Sequence, residues 1–181
     1  MTSTDLDLFI LALVQAGLAT TYDLKSKAGL SVGSTAPVLA RLEEAGLIGA
    51  PKAGVRGTRP FSVTKAGSKH LNSEWRSLLG RQPTDVDEIL RITYIAWVLG
   101  SPDEASRVLV STSSELSALA ATRRAEANQL QRSLMGQVGG QAFRWLRTSA
   151  EAARIQAQSM ALKHLAEEIR TASKKKNESL R

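Results

Sequence analysis

The chain has 181 residues, no cysteine, 4% aromatic residues and a formal net charge of +7. Without cysteine there is no disulfide, thiolate nucleophile or cysteine metal site, and a chain rich in Ala, Leu and Ser but poor in aromatics belongs to the mainly α class. The first nine residues, MTSTDLDLF, carry no basic residue for a signal peptide, and the longest apolar run, Ile95 to Leu99, is far too short for a bilayer, so the expected setting is cytoplasmic, with no membrane partner.

In chain order, Thr4 can cap a first helix in which Leu6, Phe9, Ile10, Leu13 and Val14 recur at helical spacing, and Gly17 ends it. Thr20 or Thr21 caps a second, short helix, YDLKSKA, closed by Gly29. Ser31 and Ser34 are cap candidates for a third helix. There Leu39 and Leu42 mark one face, while Ser34, Val38 and Arg41 lie on another. Gly46 stops it, as a residue free to take positive φ does. Leu47-Ile48 starts a short strand, the basic loop GAPKAGVRGTR turns the chain, and alternating Phe61 and Val63 read as a returning strand. Helix, tight turn, helix and hairpin form a winged helix-turn-helix, with Leu8, Ile10, Leu13, Leu24, Leu30, Leu39, Leu42, Ile48 and Val63 as its core.

Between Glu44 and Glu74 there is no acidic residue, yet Lys52, Arg56, Arg59, Lys65 and Lys69 fall there. An uncompensated basic segment beside a helix sized for the major groove is a footprint for double-stranded DNA. The expected groove contacts are Ser34, Thr35, Val38 and Arg41. The expected phosphate contacts are Lys52, Arg56 and Arg59.

Thr64 can cap a further helix, KAGSKHLNSEWRSLL, and GRQPT marks the clearest boundary. The expected division is a winged-helix domain over 1–80 and a helical dimerisation domain over 81–181. Thr84 then caps DVDEILRITYIAWVL, apolar nearly all round from Ile89 to Leu99 and so expected to be enclosed. Ile89, Thr93, Tyr94 and Trp97 on it are candidate lining for a small aromatic or cationic effector. Ser101-Pro102-Asp103-Glu104 is a strong start for a long helix bearing Leu109, Leu116, Leu119 and Leu130. In the last helix Phe143, Leu146, Ala150, Ala153, Ala157, Met160 and His164 follow a coiled-coil spacing, with Ile155, Leu162, Leu165 and Ile169 as a second apolar flank. Two apolar flanks in so small a protein point to a second copy, a homodimer. No catalytic constellation, cofactor motif or metal cluster is visible, so an enzyme is not expected. The rival reading is a winged helix that binds protein without operator DNA.

SVGSTAPVLARLEEAGLI followed by GVRGTRPFSVTKAG resembles the winged helix of PadR-type transcriptional regulators. LDLFILALVQAGLATTYDL is similar to that family's first two helices, and WVLGSPDEASRVL with AFRWLRTSAEAARIQAQSMALKHLAEEI is similar to its C-terminal dimerisation region. The resemblance implies a dimeric repressor, relieved by small aromatic or cationic amphipathic molecules. Tyr22 matches an aromatic position of the family's second helix. Ala36 stands ahead of Pro37 where relatives carry a backbone-holding tyrosine, and only Phe61 remains of an aromatic pair in the wing; the resemblance then implies a weakened phosphate contact rather than lost binding.

Overall fold

The computed structural model describes residues 4–49, 60–81, 85–133 and 140–178. It is mainly helical with one two-stranded antiparallel sheet: α1 (Asp5–Gln15), α2 (Thr21–Ala28), α3 (Val32–Glu44), β1 (Ile48–Gly49), β2 (Ser62–Val63), α4 (Lys65–Leu78), α5 (Val86–Ile95), α6 (Pro102–Ser133) and α7 (Gly140–Glu178). A π-helical turn, Ala96–Gly100, prolongs α5. The chain divides into two compact units, one comprising Met1–Arg81 with Leu90–Ser101 and the other Gln82–Ile89 with Pro102–Arg181.

The first unit is a winged helix-turn-helix built around α1. Thr4 and Asp7 form a reciprocal capping box, each side chain accepting from the other's backbone N–H. Behind the cap, Leu8, Ile10, Leu11, Leu13 and Val14 are buried, and α3, α4 and β2 pack on them. Trp75, Leu71 and Leu78 complete this core from α4. Of the nine expected core residues, Leu30 and Val63 are half-buried and the rest are buried.

Strand pairing and three hydrogen bonds fix the base of the wing. Ile48 pairs with Val63 and Gly49 with Ser62. The Thr64 hydroxyl donates to the Gly46 carbonyl at 2.7 Å and accepts from the Gly67 N–H at 3.0 Å, so one residue ties the α3–β1 turn to the start of α4. The Phe61 N–H donates to the Ala19 carbonyl at 2.6 Å, joining the returning strand to the α1–α2 connection. Gly67 is buried, and a Cβ there would lie 2.0 Å from the Leu47 carbonyl oxygen. Only glycine allows this approach of α4 to the wing base.

The border expected at 80/81 placed all of α5 in the second half. Instead, Leu90–Ser101 belongs to the first unit. The Arg91 Nε donates to Asp5 at 2.6 Å, and the Tyr94 ring meets Phe9 edge-on with centroids 5.3 Å apart. Nor is this helix enclosed within one chain: Leu90, Trp97 and Val98 are each more than two-fifths exposed.

The second unit is dominated by the long helices α6 and α7. Its buried seam is made of small residues. Ser106, Ser113, Ala120 and Ala127 recur every seven residues on α6, and Ala152, Ser159 and Ala166 do so on α7. The Ser106 hydroxyl donates to the Ala166 carbonyl at 3.2 Å. One heptad on, the Ser113 hydroxyl donates to the Ser159 carbonyl at 2.9 Å and the Ser159 hydroxyl to the Ser113 carbonyl at 2.8 Å. Seven forward on one helix matches seven back on the other, so the pair is antiparallel and the same register sets Ala120 opposite Ala152. Leu109 and Leu116 on α6 and Ile155, Leu162 and Ile169 on α7 are buried alongside. The Ile155 flank, expected against a second chain, therefore serves the fold of the single chain. Leu119, expected on the α6 stripe, is instead exposed.

Candidate nucleic-acid interface

The helix-turn-helix is set by its caps. The Thr20 hydroxyl accepts from the Asp23 N–H at 3.0 Å and starts α2. Gly29 takes φ +68°, a left-handed turn that closes α2. Two residues later, Ser31 accepts from the Ser34 N–H at 3.1 Å and opens α3.

Burial assigns the faces of α3. Thr35, Val38, Leu39 and Leu42 point inward, whereas Ser31, Val32, Gly33, Ser34, Ala36, Pro37, Ala40 and Arg41 are exposed. Of the four expected groove contacts, Thr35 and Val38 are thereby corrected to core. Thr35 is 1% exposed and its hydroxyl donates to the Ser31 carbonyl at 3.0 Å, which is how a polar side chain is satisfied there. Val38 is 2% exposed and shares the inner face with Leu39 and Leu42. Ser34 is exposed, its hydroxyl donating to the Ser31 carbonyl at 2.9 Å.

Arg41 is drawn to the other side. Its Nη2 donates to Asp7 Oδ1 at 2.6 Å, and the Asp7 side chain is only 5% exposed. Burial works to raise the Asp7 carboxyl, but the Thr4 N–H, the Arg41 guanidinium and the Thr4 hydroxyl together outweigh it and hold the pKa below the ordinary 3.8. Arg41 thus fixes α3 to the start of α1, a long-range ion pair that helical spacing cannot reveal.

Pro37 lies inside α3 and has no N–H, which leaves the Gly33 carbonyl without its usual helical donor. Tyr22, 75% exposed, projects from α2, and Lys25 beside it is exposed. Val32, Ala36, Pro37 and Ala40 were not among the expected contacts. The phase of the buried leucines, carried round the helix, would have found Pro37 and Ala40, but not Val32, which stands one heptad before Leu39 and is exposed at the first position of the helix.

Lys52, Arg56 and Arg59 lie outside the described residues; Lys65 and Lys69, on the first turns of α4, are exposed. Of the effector candidates, Ile89 is 0% and Thr93 4% exposed, so neither offers a surface as the chain stands. Tyr94 is half-buried, with its phenol raised by that burial, and Trp97 is 46% exposed. Every member of the expected α7 seam (Phe143, Leu146, Ala150, Ala153, Ala157, Met160 and His164) is exposed. This seam is displaced by two residues, about 200° round the helix, from the one buried against α6. Among the described residues no His/Asp/Glu group is placed to hold a metal ion, and no helix is long and apolar enough to cross a membrane.

No family model matches the chain, and no curated protein does. Among solved structures, it is similar to Bacillus subtilis PadR in complex with operator DNA, at 19% identity and a TM-score of 0.39, covering 92% of this chain and 99% of that one.

Proposed function

We propose that this chain is a sequence-specific, DNA-binding transcriptional regulator that acts as a homodimer. The observation that carries the reading is the exposed outer face of α3, presented by a capped helix-turn-helix next to a stretch with five basic and no acidic residues between Glu44 and Glu74. In it, α3 enters the major groove and Lys52, Arg56 and Arg59 meet phosphates. Ser34 lies at the groove edge, and Arg41 acts by holding α3 on Asp7.

The exposed heptad seam of α7 supports the homodimer. Phe143, Leu146 and Met160 are each more than half exposed, while the opposite seam already covers α6. A second copy meeting the free seam about a two-fold axis would present two α3 helices roughly 34 Å apart, one DNA turn. Repression in the cytoplasm, relieved by a small aromatic or cationic compound against Trp97 and Tyr94, is the regulatory form of the reading. No cofactor or catalytic step enters it.

A mobility shift with DNA from upstream of the protein's own reading frame tests the proposal. The expected result is a discrete complex of two chains per duplex that unrelated competitor DNA does not displace. A complex displaced equally by any duplex, or none at all, overturns it in favour of a protein-binding module.

A further inference from the structure

Resting on that DNA-binding reading, we propose that α3 selects its operator through the C5 methyl groups of thymines, read by Val32, Ala36, Pro37 and Ala40.

The argument begins with what the outer face of α3 lacks. Specific contacts to guanine or adenine edges are made by forked or long polar side chains, Arg, Lys, Asn or Gln. None stands on the first turns of this helix, where a reader helix meets base edges. Thr35 is inside, and the Ser34 hydroxyl already donates to the Ser31 carbonyl at 2.9 Å. Arg41, the one long cation of the helix, is held at 2.6 Å by Asp7. Glu44, the other charged residue on the outer side, stands at the far, C-terminal end.

What the face offers is apolar and low. Val32 is 50% exposed. Ala36, Pro37 and Ala40 are exposed beside it, and Gly33 between them carries no side chain. Such a surface lets the helix sink close to the floor of the groove. Of all major-groove markers only the thymine methyl is apolar, so an apolar reader can distinguish base pairs chiefly by that group. Exposed Lys25, on the α2 that packs against α3, with the five basic residues and no acidic one that follow α3 between Glu44 and Glu74, gives this apolar strip neighbours complementary to a polyanion, which favours DNA over an apolar protein helix as its occupant.

The test uses duplexes that the full-length protein enriches from a randomised pool. Each thymine is then replaced singly by deoxyuridine, which removes the methyl and nothing else from the groove. At a contacted thymine, losing one buried methyl should weaken binding about fourfold, and the symmetric pair about sixteenfold. Thymines outside the footprint should show no change. Val32→Ser, at an exposed position that the fold does not depend on, should bring the thymine-to-deoxyuridine ratio to within about twofold at the base it faces. If deoxyuridine is tolerated at every thymine while thymine-to-cytosine changes still abolish binding, methyl reading is overturned and DNA binding stands. If no duplex is enriched, both fall.

Discussion

Two alanines on α7 separate the fold of the chain from the assembly proposed for it. Ala152 is 3% exposed in the seam against α6, whereas Ala157 is exposed in the free seam. In Ala152→Glu the carboxylate enters a layer with no room and no partner. Entering neutral at pH 7 means raising its pKa from about 4.3 to 7, roughly 4 kcal/mol. Overpacking adds about 1–3 kcal/mol. A sum of about 5–7 kcal/mol matches the whole stability of many domains, so the α6–α7 pair should lose its helical signal. Ala157→Glu meets solvent in the single chain and should change its stability by no more than about 0.5 kcal/mol. In a two-fold dimer, however, the charge enters twice. Even about 2 kcal/mol per copy raises the dimer Kd roughly a thousandfold. Circular dichroism and light scattering read the two effects. Ala157→Glu should stay helical and run near 19.5 kDa, where the parent, as the proposed dimer, should run near 2 × 19.5 = 39 kDa. An Ala152→Glu protein as helical as the parent would refute the inner seam; an Ala157→Glu protein that stays dimeric would refute the outer one.

Gly67→Ala should destabilise the first unit by on the order of 2 kcal/mol, the clash with the Leu47 carbonyl outweighing about 1 kcal/mol of helix propensity gained; thermal melting that shows equal or higher stability contradicts this. Because the Asp7 pKa is lowered in the fold, its contribution is present above the ordinary 3.8 and is lost as pH falls through the folded value. Denaturant titrations from pH 6 downward should show the parent losing more stability below about pH 4 than Asp7→Asn does; parallel curves count against the Asp7–Arg41 pair. Ser113→Ala should be nearly neutral, since a lost hydrogen bond of about 1 kcal/mol is half offset by alanine's helix propensity and the Ser159 carbonyl keeps its bond within α7. A loss above about 2 kcal/mol by chemical denaturation would show that the serine pair does more than allow close approach.

Much of the first unit was legible because its signals are local. Thr4, Thr20, Ser31 and Thr64 cap the helices that their positions announced, and Gly29 closes α2 with the φ that its identity allows. Long-range partners were not legible. Nothing in the spacing of α3 shows that Arg41 reaches back to Asp7; Thr35, four residues before Leu39 and seven before Leu42, does lie on their face, but its hydroxyl made it read as a groove contact. The second unit hid its core for a different reason. Hydrophobic periodicity favours large residues, and the seam between α6 and α7 is built on Ser106, Ser113, Ala120, Ala152, Ser159 and Ala166, whose small size is what lets the helices meet. The visible stripe from Phe143 to His164 was the one left over. Likewise, the apolar run of α5 did not say which unit it joins; Asp5 and Phe9 decide that.

The central claim, a basic winged helix on DNA, is tested most directly by the salt dependence of operator affinity in the parent and in Arg56→Ala/Arg59→Ala. Log Kobs of the parent should fall linearly and steeply with log salt, and the slope of the variant should be shallower by about 0.9 for each phosphate contact removed. Equal slopes, or a parent that binds its own upstream DNA no better than a random duplex, would contradict the account.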